Sequence, residues 1–549
     1  MKIALAQINY HIGNFEHNTS KIIHAIDEAR QAGAELVVFA ELAVSGYPPR
    51  DFLEFDDFIE RCLNAVDEIA THCKGIAAIV GCPTRRADIK GKDLHNSAIF
   101  LADGKVQAMA HKSLLPNYDI FDEYRYFEPY REFEVIAYGG KRIALTICED
   151  IWDVGEDPLY TIKPMDELIK QSPDVMINIA ASPFHYEQAR TRKEIILTNV
   201  RKYKLPLFYV NHVGAQTELL FDGGSLAASP EGFIYDELEY FAEDLKIFDL
   251  DDVATAKKMP EQNPLGIIED KTKLIHDAIV MGIKNYFGKL GFDKAILGLS
   301  GGIDSAVTMV LAARALGREH VRAMLLPSAF SSEHSVNDAV ALAENLGSPY
   351  DLISIEDAFD TLDASLQPVF GDLPFDIAEE NIQARIRGLL LMAMSNKFGH
   401  ILLNTSNKSE AAVGYSTLYG DMNGGLSVLG DVYKTEVFKL ARYINKDEEI
   451  IPENTITKPP SAELRPDQKD SDSLPEYDIL DEILYQYIEK RKGPKELVKM
   501  GFEKATVDRI LKLVNTSEYK RYQTPPMLRV SSKAFGMGRR MPIVAKYLS

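Results

Sequence analysis

The chain has 549 residues, 46% of them apolar and 26% charged, which is too long for one hydrophobic core and balanced like an ordinary globular protein, so two or more domains are expected. Its 61 basic and 82 acidic side chains leave a formal net charge of −21, which argues against nonspecific affinity for nucleic acid or an anionic membrane while leaving room for a local basic pocket. No apolar span is long enough to cross a membrane, the first residues lack a signal peptide's apolar core, and Cys62, Cys73, Cys82 and Cys148 fit neither a disulfide framework nor a zinc site. A cytoplasmic protein is expected.

From Met1 to Tyr240 strands alternate with helices. Lys2–Gln7 reads as a strand, Asn18–Ala32 as a helix closed by Gly33, and Glu35–Ala40 as a strand ending at Glu41. Further strands are expected at Ala77–Val80 and Ala98–Leu101, then a turn at Asp103-Gly104 and a returning strand Val106–Ala110 that leads to Lys112. Arg142–Ile147 is another strand, and it ends at Cys148. Three reactive side chains thus follow strand ends, where an α/β scaffold presents its chemistry. Taken singly, each has a plainer reading: Glu41 as a loop acid, Lys112 as a surface lysine, Cys148 as a small core hydrophobe. The text turns polar after Leu250, and the boundary is placed near residue 260, giving domains 1–260 and 261–549.

In the second domain a helix is expected over Thr272–Leu290, then a strand at Lys294–Leu297. Gly298-Leu299-Ser300-Gly301-Gly302-Ile303-Asp304-Ser305 follows and opens a helix that runs to Leu316. Glycines let backbone N–H groups converge and the helix start adds about half a positive charge, so this turn is an anion cradle, with Asp304 available to a Mg²⁺ on phosphate. No Gly-Lys-Ser/Thr follows the glycines, so it is not a Walker A loop. A strand at Val321–Pro327, a helix at Ser335–Leu346 and a strand at Tyr350–Ile355 continue a doubly wound parallel sheet with the loop at its carboxyl edge. Glu380 opens a helix on which Asn381 and Arg385 share a face, a solvated helix face being the plainer reading. Strand Ile401–Leu403 then leads into Asn404-Thr405-Ser406-Asn407-Lys408-Ser409-Glu410. Residues 458–477 hold four prolines among many charges, as a surface loop or a closing lid would.

Phe39-Ala40-Glu41-Leu42, His111-Lys112-Ser113-Leu114 and Ile147-Cys148-Glu149-Asp150 resemble the nitrilase/amidase superfamily, and most closely its glutaminase branch. The resemblance implies an αββα sandwich and a Glu41–Lys112–Cys148 triad in which the cysteine attacks an amide carbon as thiolate. Glu41 would serve as general base and then acid, and Lys112 would support the oxyanion and depress the thiol pKa, with Glu123 as the supporting second glutamate. It further implies Tyr118 and Ser182 as glutamine contacts. A basic residue usually follows six positions after that serine to pair with the substrate carboxylate; Gln188 stands there, with Arg190 and Arg192 nearby as alternatives.

The Ser-Gly-Gly-Ile-Asp-Ser turn resembles the pyrophosphate loop of the ATP pyrophosphatases, a Rossmann-like α/β fold of the adenine nucleotide alpha hydrolase type. In series with Glu-Asn-Ile-Gln-Ala-Arg, Asn-Lys-Ser-Glu, Ser-Thr-Leu-Tyr-Gly-Asp and Asp-Val-Tyr-Lys-Thr, it is similar to the NAD⁺ synthetase family, whose glutamine-dependent form carries the same fusion. This implies ATP on the loop residues 298–305 with Thr405 and Lys434, deamido-NAD⁺ on Asn381, Arg385, Glu410 and Lys520, and Mg²⁺ on Asp304 and Glu410. Leu418 stands where many ammonia-using relatives have lysine. The implied reaction is ATP-dependent amidation of deamido-NAD⁺ by ammonia from L-glutamine through an adenylate. Neutral ammonia would protonate in bulk water, so a closed passage between the halves is expected. A homo-oligomer, at least a dimer, is implied as well, with no nucleic-acid or membrane partner. Another glutamine-fed adenylating ligase and a catalytically silent nucleotide-binding scaffold are the alternatives.

Overall fold

The computed structural model describes all residues except 87–90, 156–157, 260–269, 467, 469, 471–473 and 549. The backbone divides into two compact units, Met1–Glu269 and Asp270–Ser549. The boundary expected between residues 260 and 261 lies outside the described residues, as does part of the 458–477 segment.

The first unit contains strands β1 (Lys2–Gln7), β2 (Leu36–Val38), β3 (Ala77–Arg85), β4 (Leu94–Ala102), β5 (Lys105–His111), β6 (Ile136–Tyr138), β7 (Lys141–Ile147), β8 (Val175–Ile179), β9 (Leu207–Val210), β10 (Val213–Gln216), β11 (Leu219–Asp222), β12 (Leu226–Ser229), β13 (Phe233–Glu237) and β14 (Asp244–Asp249). They form two six-stranded sheets, ordered β14-β1-β2-β3-β4-β5 and β13-β12-β9-β8-β7-β6, plus the small β10-β11 ribbon. Both large sheets have the same plan. Parallel pairs occupy the centre, β1 with β2 and β3 in one and β7 with β8 and β9 in the other, and antiparallel strands close the edges. Central strands covered on both faces must be apolar throughout, and Leu36–Val38 and Val175–Ile179 are entirely buried. One continuous core joins both sheets with the helices Phe15–Gln31 and Asp56–His72.

Local chemistry moves two expected boundaries. The first helix starts at Phe15, not Asn18, because the Asn14 side chain accepts from the His17 N–H and caps it, while Asn18 turns inward to donate to the His11 and Val44 carbonyls. The strand expected over Glu35–Ala40 contracts to β2, and its continuation leaves the ladder to carry Glu41 inward. That loop crosses Gly81 so closely that a Cβ there would lie 2.2 Å from the Leu42 nitrogen.

The second unit is built on β15 (Ala295–Gly298), β16 (Val321–Leu325), β17 (Tyr350–Leu352), β18 (Ile401–Asn404) and β19 (Leu426–Ser427), all parallel, in the order β17-β16-β15-β18-β19. The chain runs outward from β15 to one edge and returns to its other side, so the order reverses between β15 and β18. A crevice beyond the carboxyl ends of the strands is expected at that switch point. The pyrophosphate-type loop leaves β15 there and enters the helix Ile303–Leu316.

Candidate active sites

In the first unit the three reactive side chains meet. Glu41 follows β2, Lys112 follows β5 and Cys148 follows β7. Lys112 is fully buried, its Nζ 2.7 Å from Glu41 Oε1 and 2.8 Å from Glu123 Oε2. Glu41 is oriented from three sides, since Asn96 Nδ2 donates at 2.7 Å, Lys112 at 2.7 Å and the Ala181 N–H at 2.9 Å. The Tyr47 hydroxyl donates to Glu123. Cys148 has φ of 43°, a left-handed backbone where β7 turns into the 3₁₀ segment Cys148–Ile151. Asp150 ties this turn to the lysine loop: one carboxylate oxygen accepts from the Ile147 N–H and the other from Ser113 and Leu114. Burial pushes Asp150 up to about 6 against those three donors.

Lys112 pulls the Cys148 pKa down, as expected, but it does not set the net direction. Burial is the largest influence on the thiol, Glu41 adds to it, and together they outweigh Lys112 and hold the thiol well above its ordinary value. The lysine's charge is already committed to two carboxylates, which keep it protonated despite its burial. The net effect of burial and charge at Cys148 favours the neutral thiol over the thiolate. Burial also raises Glu123.

The remaining residues expected to contact glutamine sit around this turn. The Tyr118 hydroxyl donates to Glu149 at 2.8 Å, and Tyr160 reaches the same carboxylate. Ser182 follows β8, and its hydroxyl accepts from Gln188 Nε2 at 3.0 Å. Arg192 is not an available cation, because it is buried and forked onto both oxygens of Asp222. Arg190 is exposed and paired with Glu194.

In the second unit a cavity of about 320 Å³ opens at the switch point, lined by Gly298–Ser300, Gly302–Ser305, Thr405, Glu410 and Lys434 among others. The loop is pre-shaped. Ser305 Oγ accepts from the Ser300 N–H and donates to the Gly302 carbonyl, and Ser300 Oγ accepts from the Gly302 N–H. Gly301, at φ of 78°, lies against the Ser335 carbonyl, which a Cβ would approach to 2.1 Å. Lys434 Nζ bridges Asp304 Oδ2 at 2.5 Å and Glu410 Oε1 at 3.2 Å, while Asn407 Nδ2 donates to Asp304 Oδ1. Asp470 adds a third carboxylate to this field. Burial raises Glu410, and Asp304 and Asp470 raise it further.

Asn381, Arg385 and Lys520 do not line the cavity. They converge on the segment 414–421 beside it: Asn381 accepts from Thr417 Oγ1, Arg385 donates to the Leu418 carbonyl, and Lys520 donates to the Gly414 and Ser416 carbonyls. Tyr415, Gly420 and Asp421 of that segment do face the cavity.

Sequence reading missed Asn96, Tyr47, Asp150 and Glu149 in the first unit, and Asn407 and Asp481 in the second. Asn96 lies within a strand and gives no local signal. Asp150 and Glu149 stand in the cysteine's own word, where two consecutive acids at a buried strand end were a signal to follow. Asp481 accepts from Ser409 Oγ and from the Thr435 N–H, and so fixes the start of the helix that carries Lys434.

The molecule thus joins a carbon–nitrogen hydrolase unit with a nucleotide-loop unit: a family model described as carbon-nitrogen hydrolase matches residues 2–258, and one described as NAD synthase matches residues 275–524. The glutamine-dependent NAD⁺ synthetase of Synechocystis is 45% identical over 99% of both chains, and that of Thermotoga maritima is 38% identical over 100% of this chain and 99% of its own. A solved glutamine-dependent NAD⁺ synthetase from Acinetobacter baumannii, in complex with adenosine diphosphate, matches with a TM-score of 0.76 at 39% identity over 99% of this chain and 98% of that one. The enzyme of the same name from Cytophaga hutchinsonii reaches a TM-score of 0.84 at 21% identity, a likeness in fold. This chain belongs to the glutamine-dependent NAD⁺ synthetase family.

Proposed function

We propose that this chain converts deamido-NAD⁺, ATP and L-glutamine into NAD⁺, AMP, pyrophosphate and glutamate, at two sites in one polypeptide. The observation that carries the reading is the joint presence of a Cys148 turn with an oriented Glu41 and a charged cavity on a pyrophosphate-type loop.

At the first site the Cys148 sulfur attacks the glutamine side-chain amide carbon while Glu41 removes the thiol proton. Glu41 is aligned for that by Asn96, Lys112 and the Ala181 N–H. The same carboxyl group returns the proton to the departing nitrogen, and ammonia leaves a γ-glutamyl thioester. Water, activated by Glu41, then releases glutamate. Lys112 stabilises the tetrahedral oxyanion, and Glu123 holds Lys112 in place and charged. Glu149, with Tyr118 beside it, receives the substrate's ammonium group, and Ser182 with Gln188 receives its carboxyl end.

At the second site the nicotinate carboxylate attacks the α-phosphorus of ATP and pyrophosphate leaves into the loop of residues 298–305. Ammonia then attacks the adenylated carbonyl carbon and displaces AMP. Thr405 and Lys434 contact ATP, and Glu410 with Asn381, Arg385 and Lys520 positions deamido-NAD⁺. Mg²⁺ fits the donors present: Asp304, Glu410 and Asp470 crowd one lysine, an excess of hard oxygen charge. Among the described residues no cluster of three or more His, Cys, Asp or Glu could hold a metal, which suits an ion that takes one or two carboxylates and its remaining ligands from phosphate and water. When bound by Asp304 and Glu410 it supplies charge neutralisation to the pyrophosphate.

A cytoplasmic location and a homo-oligomer of at least two chains belong to the same reading. Among the described residues all four cysteines are free and no helix is long and apolar enough to cross a membrane. The helix Glu356–Phe370 buries none of its residues, and the large apolar side chains of Val369, Leu373, Ile377 and Leu389 are each exposed, as side chains that a second copy would cover are.

The test is NAD⁺ formation from deamido-NAD⁺ and ATP, fed with glutamine or with ammonium, and with AMP and pyrophosphate measured alongside. ADP and phosphate among the products in place of AMP and pyrophosphate would rule out the adenylate.

A further inference from the structure

The word Asn407-Lys408-Ser409-Glu410 divides between two sides of the chain. Asn407 and Glu410 serve the cavity: Asn407 Nδ2 donates to Asp304 Oδ1 at 2.9 Å, its Oδ1 accepts from the Glu410 N–H at 3.0 Å, and Glu410 lines the cavity with Lys434 Nζ 3.2 Å away. Lys408 and Ser409 are fully buried and do not line it.

Lys408 is the centre of a closed polar network behind that wall. Its Nζ lies 3.0 Å from Asp431 Oδ1 and 2.9 Å from Glu489 Oε1, and none of the three side chains has exposed surface. It also donates to Ser531 Oγ at 2.7 Å and to the Lys533 carbonyl at 3.0 Å. An ammonium with three protons and four oxygens around it is held in one place. The acceptors are fixed in turn. Asp431 accepts from the Val530 and Ser531 N–H groups and from Ser531 Oγ, and Ser532 Oγ donates to Glu489 Oε2.

Four stretches far apart in sequence meet at this one nitrogen: residues 407–410, residues 431–434, Glu489 after the helix Tyr477–Ile488, and residues 530–533. The first two carry Glu410 and Lys434, and they are also tied directly. The Lys408 N–H donates to the Val432 carbonyl at 2.9 Å, and the Lys434 N–H donates to Ser409 Oγ at 2.9 Å. Among the described residues none after 524 lines the cavity, so residues 530–533 reach the site only through Lys408 and Asp431.

We propose that Lys408 is a positioning residue of the second site: clamped by Asp431, Glu489 and residues 530–533, its ammonium holds the Glu410 turn and the Lys434 turn in one register and so sets the geometry of the Lys434–Glu410 pair. The proposal rests on the adenylation reading above, in which that pair acts as pyrophosphate leaves. A displacement of about 1 Å in a positioning element costs about 10²-fold in rate. The loop's own shape is separate, since Ser300, Gly302 and Ser305 bond among themselves. Loss of Lys408 should therefore be felt in turnover before it is felt in ATP binding.

The experiment measures ammonium-fed NAD⁺ formation by the full-length chain, at a temperature where each variant is folded. Lys408→Met is expected to lower kcat by about 10²-fold with KM for ATP changed by less than about threefold. Its melting temperature should fall, because Asp431 and Glu489 stay buried without their cation. The double variant Lys408→Met with Glu489→Gln removes one of those charges, and it is expected to regain melting temperature while kcat stays low. Ser531→Ala, remote from the cavity, should lower kcat by about fivefold, the scale of one hydrogen bond. Recovery of kcat together with melting temperature in the double variant would overturn the proposal, since Lys408 would then only neutralise charge. An unchanged kcat in folded Lys408→Met, or a loss confined to KM for ATP, would overturn it too. If Lys408→Met did not fold, Ser531→Ala would decide, and an unchanged kcat there would refute the clamp. Absence of NAD⁺ formation from ammonium by the unaltered chain would be a different result, removing the adenylation reading and this proposal with it.

Discussion

Each unit holds a lysine between two carboxylates, and the two arrangements do opposite work. Lys112 between Glu41 and Glu123 is sealed, with side-chain exposures of 0%, 0% and 6%. Lys434 between Asp304 and Glu410 opens onto a cavity, with 4%, 17% and 17%. Two buried carboxylates without their cation would be costly, so the first set has one stable pairing, which in the function proposed above aims Glu41 at the thiol. The second set is open to solvent, and in the function proposed above phosphate, a carboxylate substrate and a divalent cation would bring their own charges to it and exchange its pairing. The same three-charge pattern is a rigid orienter when enclosed and a charge reserve when open.

The comparison is tested most severely by Cys148→Ala. Glutamine-driven NAD⁺ formation should fall by about 10³-fold or more, as when a covalent nucleophile is removed, with ammonium-driven formation kept within about twofold. Equal loss from both nitrogen sources in a folded protein would erase the division between the units. Next come the two lysines. Lys112→Met leaves two enclosed carboxylates unpaired and should cost about 3–5 kcal/mol in chemical denaturation of the first unit. Lys434→Met should cost less than half of that, because water and cations reach Asp304 and Glu410, while slowing turnover from both nitrogen sources by about 10²-fold. Similar stability losses from the two variants would break the contrast between enclosed and open.

The thiol offers a pH test. Burial and Glu41 hold its pKa above the ordinary value, so the neutral form persists as pH rises through the usual thiol range. Inactivation by iodoacetamide should then climb by about tenfold per pH unit to pH 9 and beyond. A flat profile between about pH 6 and 8 would mean a preformed thiolate. The smallest effect is expected from Asp481→Asn, which keeps one acceptor of two at the start of the Lys434 helix. Turnover with either nitrogen source should drop by about threefold, with about 1 kcal/mol lost from the second unit, the scale of a weakened helix cap.

Much of the candidate machinery was legible because it sits in short, contiguous words. The loop of residues 298–305 needs glycine and small hydroxyls in consecutive positions, and Gly301 is confined both by its φ of 78° and by the Ser335 carbonyl. Strand periodicity brought Glu41, Lys112 and Cys148 to strand ends, since each ends a short apolar run. Helix starts were less legible, as Asn14 and Asn18 show. Both residues suit a cap, and only the inward hydrogen bonds of Asn18 to His11 and Val44 decide between them.

By itself the sequence determined the alternation of strands and helices, the anion-cradling loop and the order of the reactive residues, all of which depend on neighbours within a few positions. The tertiary structure decided everything that depends on long-range enclosure. It put Lys112 between Glu41 and Glu123, and turned Arg192 away onto Asp222. It also raised the Cys148 thiol where proximity to a lysine suggested the reverse. Burial is a property of the whole fold, and the sign of an electrostatic effect follows burial before it follows the nearest charge.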